Sequence, residues 1–321
     1  MAYGLYTVFG GSGFLGRHVV QRLAAQGHRV RVAVRRPDLA AFLKPLGHVG
    51  QIQIVTVNVR DPESVARAVA GATGVVNLVG ILSESGQQKF EKVHVDGAAN
   101  VARAAAAAGC RSLVHVSAIG ADAASEVGYA RTKALGEARV REAFPQATIL
   151  RPSVMFGPED TFLNRFAGLI KMLPFVPVIC GATRFQPVYV GDVAEAAARS
   201  LLDPARYGGR TFELGGPAVR TMREILAYVR QEIMSKKELV TIPDALARIQ
   251  AAVLGLLPRA PLTTDQLRML QRDNVAAPGS EGLDAFGIEP TPMEAIAPRY
   301  LVLYRPKGSF SRPIDTLPSR G

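Results

Sequence analysis

Two side chains that can transfer protons, Tyr129 and Lys133, stand at the start of a predicted helix in the order Tyr-x-x-x-Lys. A separation of four residues places both on one face of a helix. Because a nearby ammonium favours the phenolate, we expect Lys133 to lower the pKa of Tyr129 and fit it for general acid or base catalysis. Ser117, at the end of the preceding predicted strand, can donate a hydrogen bond to a carbonyl oxygen. These residues predict a proton-transfer site, although binding at such a site does not require turnover.

A glycine-rich turn near the N-terminus carries the second chemical feature. The residues GGSGFLG at 10–16 follow a predicted strand and open a predicted helix. Missing side chains permit a tight turn, close approach of the backbone to a pyrophosphate, and close packing of helix on strand. The free N–H groups at the helix N-terminus face the phosphates. The strand, the turn and the helix together predict a dinucleotide-binding site.

The residues after the second predicted strand indicate which dinucleotide is bound. An NAD-specific site usually places Asp or Glu there, about 20 residues after the glycines. This sequence has Arg35 and Arg36 instead, and Arg17 follows the last glycine. Guanidinium groups keep their charge and bind phosphate through paired hydrogen bonds, which favours the 2′-phosphate of NADP(H). We therefore expect NADP(H), in particular NADPH, rather than NAD(H); a solvated basic loop is the alternative.

Short apolar runs alternate with alanine-rich stretches, a pattern typical of βαβ units around a parallel sheet. The predicted strands are 4–9, 29–34, 52–57, 74–78, 112–116, 148–150 and 211–214. The predicted helices are 14–26, 62–70, 92–108, 129–143, 192–202 and 221–234. The pattern predicts an α/β fold: a Rossmann-type doubly wound parallel sheet with a smaller, interleaved C-terminal lobe.

The alternation becomes irregular after Pro152, where further prolines interrupt the chain. We predict a dinucleotide-binding domain over 1–157, to which elements near 188–215 return, a smaller lobe over 158–302, and a proline-containing tail over 303–321. The segment Ala245–Leu257 is apolar around most of a helix but too short to span a bilayer. We interpret it as a core or partner-facing helix, with an interfacial membrane helix as the alternative.

Charge and cysteine content exclude several classes of function. The net charge of +11 is spread along the chain, and basic side chains are not interleaved with aromatic ones, so nucleic acid is not an expected partner. Attraction to an anionic partner or membrane surface stays open. The two cysteines, Cys110 and Cys180, lack the paired spacing of a metal or redox site, and no metal site is predicted.

Successive motifs resemble the extended and atypical branch of the short-chain dehydrogenase/reductase superfamily, the NAD-dependent epimerase/dehydratase-like proteins. The matching segments are GGSGFLG at 10–16, NVRD at 58–61, HVSA at 115–118, YARTK at 129–133 and ILRPSVMFGP at 149–158. The resemblance implies that glycines hold the pyrophosphate, arginines the 2′-phosphate, and the Tyr-Lys pair the nicotinamide ribose. The implied cofactor contacts are Gly10, Ser12, Gly13, Phe14, Leu15, Gly16, Arg17, Arg35, Arg36, Asn58, Val59, Val79, Gly80, Ser117, Tyr129, Lys133 and Pro152.

Two positions depart from the pattern of catalytic members. His94 occupies the place where many members carry Asn, and Ala118 follows Ser117 where a second Ser or Thr is frequent. We interpret His94 as a packed or exposed helix residue. These departures argue against an efficient epimerase or dehydratase and leave slow reductase chemistry open.

Within this superfamily the second half is similar to the nucleotide-binding accessory subunits of respiratory complex I, the NADH:ubiquinone oxidoreductase. The similar segments are 151–167, 184–196, 262–275 and 286–301. The resemblance implies a tightly held NADPH, far from the flavin and iron–sulfur clusters, and a structural role near the quinone site, where the peripheral arm meets the membrane arm. Residues 1–9 show no targeting pattern. We expect a bacterial form, peripheral on the cytoplasmic side of the inner membrane and without a transmembrane segment.

Three functions follow from these patterns. The leading one is a non-catalytic accessory subunit of complex I that contacts other subunits and lipid headgroups. The second is a free-standing NADP(H)-dependent reductase or epimerase that uses Tyr129 as acid or base. The third is a redox-sensing regulator that binds reduced and oxidised nucleotide with different affinity. A fold alone does not separate them, and we lean towards no turnover by the isolated chain.

Overall fold

The computed structural model describes residues 3–243 and 264–310. The predicted apolar helix 245–257 and the tail after residue 310 lie outside these ranges. The described residues form two compact units. The first comprises Met1–Ser153, Val190–Gly216 and Asn274–Pro290, and the second comprises the described residues of Val154–Tyr189, Pro217–Asp273 and Thr291–Gly321.

A seven-stranded parallel sheet forms the centre of the first unit. Its strands are β1 (Leu5–Phe9), β2 (Arg29–Val34), β3 (Ile52–Thr56), β4 (Gly74–Asn77), β5 (Ser112–Val116), β6 (Thr148–Pro152) and β11 (Thr211–Leu214). They lie in the order β11-β6-β5-β4-β1-β2-β3, and every neighbouring pair is parallel. Because chain order reverses between β1 and β4, this point is where ligands bind in open α/β sheets. The predicted fold class is confirmed.

Helices cover both faces of this sheet. They are α1 (Phe14–Ala25), α2 (Pro62–Val69), α3 (Gly97–Ala107), α4 (Gly128–Ala143), α6 (Val190–Leu202) and the short α7 (Pro204–Tyr207). Helix α1 packs beside α6, whereas α2, α3 and α4 pack in sequence with one another. A 3₁₀ segment, Pro37–Leu46, follows β2, and a π-helix, Glu91–Asp96, runs directly into α3. Strands rich in Val, Ile and Leu are therefore buried between two helical layers.

The second unit has its own apolar core. Its elements are β7 (Met155–Phe156), α5 (Leu163–Met172), β8 (Val176–Val178), β9 (Arg184–Phe185), β10 (Val188–Tyr189), β12 (Arg220–Thr221), α8 (Met222–Glu232), β13 (Leu239–Thr241), and the helices Thr264–Leu270, Met293–Ile296 and Pro298–Leu301. The buried side chains of this core include Phe156, Leu163, Ile170, Phe185, Ile225 and Tyr300. Short strands separated by prolines replace the regular alternation of the first unit, as the sequence predicts after Pro152.

One segment lies in a different unit from the one expected. Residues 274–290 were predicted in the C-terminal lobe but belong to the first unit. The backbone N–H of Glu213, on the edge strand β11, donates to the carbonyl of Glu281 at 2.9 Å. The Glu213 carboxylate accepts from the N–H of Ala277 at 2.8 Å, and Arg210 pairs with Glu281. The segment thus covers an otherwise open sheet edge, which local sequence patterns do not reveal.

No helix within the described residues is long and apolar enough to cross a bilayer.

Candidate functional site

The glycine turn leaves no room for side chains where it meets helix α1. Gly10 has a φ of +76°, and its N–H donates to the carbonyl of Ala33 at 3.0 Å. A Cβ atom on Gly16 would clash with backbone atoms of Gly10 and Gly11. Helix α1 starts at Phe14, where no side chain of the described residues caps it, and its first turn contains no acidic residue. Its first N–H groups and its dipole are therefore suited to an anion such as a diphosphate.

The predicted arginines lie at the same edge of the sheet, and two of them have partners that were not predicted. Arg35 and Arg36 follow β2 and are exposed. Arg36 forms a 2.9 Å ion pair with Asp38, and this guanidinium lowers the pKa of the Asp38 carboxyl. The guanidinium of Arg17 lies 4.9 Å from the centre of the Phe42 ring. Asp38 stands only two residues after Arg36, so its competition for that guanidinium was visible in the sequence.

The loop after β4 lies against the glycine turn. A Cβ atom on Gly10 would lie 3.4 Å from Cγ2 of Val79. The N–H of Val79 donates to Oδ1 of Asn77 at 3.1 Å, and the Asn77 amide lies 3.2 Å from Nδ1 of His115. Asn77 and His115 are both buried, and neither was predicted as a site residue. A polar residue at the end of an otherwise apolar strand was the available signal.

The Tyr-Lys pair lies on α4 as predicted, but its protonation differs from the prediction. Burial raises the pKa of Tyr129 to about 12, so the expected lowering by Lys133 is wrong. Desolvation disfavours the phenolate, because the Tyr129 ring packs against Phe90 and His94, with ring centres 6.1 and 5.5 Å away. The Lys133 ammonium instead donates to the Val116 carbonyl at 3.1 Å. At neutral pH Tyr129 is a phenol, which can donate a proton but is a poor base.

Lys133 and Ser117 complete this part of the site. Burial lowers the pKa of Lys133 to about 8, and the Glu137 carboxylate opposes the shift. Ser117 is buried, and its hydroxyl has no hydrogen-bond partner among residues 3–243 and 264–310. Buried hydroxyl groups are nearly always hydrogen-bonded, so an unpaired one is suited to a bound ligand. A Cβ atom on Gly80 would lie 3.3 Å from Nζ of Lys133, which puts the loop after β4 beside the ammonium.

His94 also lies in this part of the site. It is buried, and its Nε2 accepts a hydrogen bond from the N–H of Ile81 at 3.0 Å. Burial and the Lys133 charge lower the pKa of His94 to about 3, so the ring is neutral at physiological pH. The sequence interpretation was that His94 is either a packed or an exposed helix residue, and the structure shows that it is packed.

The other predicted residues lie at the carboxyl ends of strands. Asn58 and Val59 follow β3, and Pro152 ends β6. Ser12 and Phe14 are partly exposed at the turn, whereas Leu15 is buried. The sheet thus brings residues that follow or end six strands, β1 to β6, to the same edge. Their individual contacts with a cofactor stay predictions.

Comparison with known proteins connects this geometry to a family. Residues 6–215 match the NAD dependent epimerase/dehydratase family. The 40 kDa subunit of mitochondrial NADH-ubiquinone oxidoreductase from Neurospora crassa is 33% identical over 311 residues, covering 97% of this chain and 82% of that protein. Subunit 9 of the NADH dehydrogenase (ubiquinone) 1 alpha subcomplex from Rattus norvegicus is 36% identical over 295 residues, covering 90% and 77%.

An enzyme and solved structures are also similar to this chain. The ceramide reductase of Caulobacter vibrioides is 36% identical over 243 residues, covering 76% of this chain and 75% of that protein. The UDP-glucose 4-epimerase of Thermus thermophilus, solved with NAD, has a TM-score of 0.60 at 24% identity and covers 82% of this chain and 99% of that one. The latter likeness establishes the fold. The chain belongs to the NAD dependent epimerase/dehydratase family and is similar over most of its length to subunits of NADH-ubiquinone oxidoreductase.

Proposed function

We propose that the chain is a non-catalytic, NADP(H)-binding accessory subunit of respiratory complex I. The observation that carries the proposal is the similarity to the Neurospora crassa subunit over 97% of the chain. The family match ends at residue 215, so the similarity to complex I subunits extends well beyond the shared nucleotide-binding part. The subunit would stabilise the junction between the peripheral and membrane arms.

The residues of the site fit a dinucleotide. The glycine turn and the start of α1 would hold the pyrophosphate, and the Ser117 hydroxyl, which has no partner among the residues that the structure describes, would gain one. Tyr129 and Lys133 would hold the nicotinamide ribose. Arg17, Arg35 and Arg36 would contact the 2′-phosphate, which supports NADP(H) over NAD(H). A bound nicotinamide can accept or donate hydride. In the proposed subunit the nucleotide would act as a structural ligand, because it binds the folded state and not the unfolded chain.

Peripheral attachment to the membrane arm is the second part of the proposal. The partners would be other complex I subunits and lipid headgroups on the cytoplasmic side of a bacterial inner membrane. The net charge of +11 supports attraction to anionic headgroups. In the second unit, Met172 and Phe175 are exposed by 83% and 39% beside the exposed Lys171, a combination typical of interfacial contact.

Co-purification tests this function directly. A C-terminally tagged chain, extracted from membranes in mild detergent, would be analysed by native gel and mass spectrometry. We expect it at constant stoichiometry in an assembly that oxidises NADH with quinone, with NADP(H) released on denaturation. Recovery only as a soluble monomer or homodimer would refute the accessory-subunit function.

A free-standing reductase is the second candidate, favoured by the similarity to ceramide reductase. In that case Tyr129, held as a phenol by its raised pKa, would protonate the carbonyl oxygen as hydride leaves the nicotinamide. Ser117 would donate a hydrogen bond to the same oxygen. The Tyr129→Phe variant should then lose NADPH oxidation by carbonyl substrates while keeping NADPH affinity. Equal oxidation rates in wild type and variant would exclude this mechanism.

A further inference from the structure

His94 joins two segments that both border the proposed nucleotide site. Its Nε2 accepts a hydrogen bond from the backbone N–H of Ile81 at 3.0 Å, in the loop that follows β4. Its Nδ1 lies 3.0 Å from Oγ1 of Thr132, on α4 between Tyr129 and Lys133. One buried ring therefore connects the loop after β4 to the helix that carries the Tyr-Lys pair.

The partners of the ring define its tautomer. The Thr132 hydroxyl has one hydrogen, which it donates to the Gly128 carbonyl at 2.8 Å. The same oxygen can then only accept from His94, so Nδ1 carries the proton. Because Nε2 accepts from the Ile81 N–H, it carries none. A neutral ring protonated at Nδ1 satisfies both contacts, whereas a second proton on Nε2 would face the Ile81 N–H.

Two glycines lie close to His94, one beside its backbone and one beside its ring. A Cβ atom on Gly136 would clash with the carbonyl oxygen of His94, so α4 lies directly against the π-helix Glu91–Asp96. On the other side, a Cβ atom on Gly80 would lie 3.7 Å from Nε2 of His94. Short π-helical insertions frequently occur at functional sites, where they redirect a side chain. Here the π-helix directs His94 between the loop and the helix.

We propose that His94 is a positioning residue, whose neutral ring fixes the loop after β4 relative to Tyr129 and Lys133. Val79 and Gly80 on this loop lie against the glycine turn and the Lys133 ammonium, so its position determines the space left for a nucleotide. The inference rests on the proposed nucleotide binding at this edge of the sheet. A histidine that only fills the core would affect global stability without a specific effect on this loop.

Three substitutions separate the two hydrogen bonds of the ring. The longer amide of His94→Gln can reach the position of Nε2 and accept from the Ile81 N–H. The shorter amide of His94→Asn can reach only the position of Nδ1 and retains the Thr132 contact. His94→Phe keeps a ring and loses both contacts. His28→Phe is the matched control, because His28 is also buried and accepts from the Gly4 N–H at 3.4 Å, but at the opposite edge of the sheet.

The full-length chain would be examined by hydrogen exchange of the Ile81 peptide without nucleotide, by NADPH titration, and by urea unfolding. We expect about tenfold faster exchange and about tenfold weaker NADPH binding in His94→Phe and His94→Asn, the order for one buried hydrogen bond. His94→Gln should keep the exchange rate and the NADPH affinity near their wild-type values. His28→Phe should change neither quantity, even if it lowers the urea midpoint. Thr132→Val keeps His94 and its hydrogen bond from the Ile81 N–H and removes the same contact that His94→Gln loses, so its exchange should likewise stay near the wild-type rate.

The outcomes separate this inference from the proposed function. Unchanged Ile81 exchange in His94→Phe, or equal defects in the Gln, Asn and Phe variants, would overturn the positioning role and leave a packing residue. If wild type binds no NADPH, the proposed function fails, and with it the nucleotide part of the inference. The exchange measurement still tests whether His94 holds the loop, because it requires no nucleotide.

Discussion

The two ends of the candidate site have opposite physical character. At the proposed phosphate end, defined by residues 10–17, Arg35 and Arg36, backbone groups and arginine side chains reach solvent. At the proposed nicotinamide end, defined by His94, Ser117, Tyr129 and Lys133, polar groups are largely enclosed, and burial raises the pKa of Tyr129 and lowers those of Lys133 and His94. Exposed charges respond mainly to salt, whereas enclosed titratable groups respond mainly to pH. We therefore expect nucleotide binding to depend on charge at the first end and on packing at the second.

The largest expected effect comes from the glycine turn, because nucleotide binding at either end of the site requires it. Gly16→Ala places a Cβ atom against rigid backbone of Gly10 and Gly11, so it should abolish NADPH binding and lower the free energy of unfolding by about 3 kcal/mol. Calorimetric titration and urea unfolding would measure both quantities. Gly168→Ala, in helix α5, is the matched control: outside that helix's own backbone, no heavy atom of the described residues lies within 4 Å of an added Cβ, so the substitution should stabilise by up to about 1 kcal/mol. A tolerated Gly16→Ala would mean that the turn has more space than its geometry shows.

Substituting Arg35 and Arg36 together should selectively weaken the binding of a nucleotide that carries a 2′-phosphate. We expect Arg35→Ala/Arg36→Ala to bind NADPH about 30-fold more weakly while NADH affinity changes less than about twofold, because only NADPH offers a 2′-phosphate. Titration of both nucleotides at low and high salt would measure this, and the proposed preference of the wild type for NADPH over NADH should narrow as salt rises. Arg139→Ala, an exposed arginine on α4 paired with Glu142, is the control and should leave both affinities unchanged. Equal losses of affinity for NADPH and NADH would show that these arginines do not recognise the 2′-phosphate.

The same contrast explains what the sequence predicts well. Glycines, arginines and the Tyr-x-x-x-Lys spacing are properties of residue type and local order, and the structure brings them to one edge of the parallel sheet. The raised pKa of Tyr129 and the contacts of His94 depend on which rings pack together after distant strands align. Asn77 and His115 belong to the same group, because their hydrogen bond joins positions 38 residues apart. Coverage of strand β11 by residues 274–290 likewise follows from tertiary pairing.

Acid should destabilise the folded protein through two buried histidines whose pKa values the Lys133 charge also lowers. His94 and His115 have ordinary pKa values near 6.5 in the unfolded chain, and burial lowers both to about 3 in the folded protein. Between these values the unfolded chain binds more protons, so the free energy of unfolding falls as pH falls from about 6.5 towards 3. Each histidine contributes up to about 1.4 kcal/mol per pH unit. Urea unfolding at pH 7, 6, 5 and 4 would show a shallower slope in His94→Gln/His115→Asn than in wild type.

The control variant for this slope is His48→Gln, which removes an exposed histidine of the first unit. A double variant as steep as wild type would mean that other groups cause the acid sensitivity.

The smallest expected effect concerns Asp38, whose carboxylate would compete with a 2′-phosphate for the proposed contact with Arg36. The pair is exposed and joined at 2.9 Å, so its contribution is small and screened by salt. Asp38→Asn removes the competing charge and should tighten NADPH binding by about twofold at low salt, with little change for NADH. Arg36→Ala/Asp38→Asn should show no such gain relative to Arg36→Ala, because the released guanidinium is absent. If Asp38→Asn tightened NADPH and NADH equally, the carboxylate would act on the charge common to both nucleotides, and Arg36 would not distinguish between them.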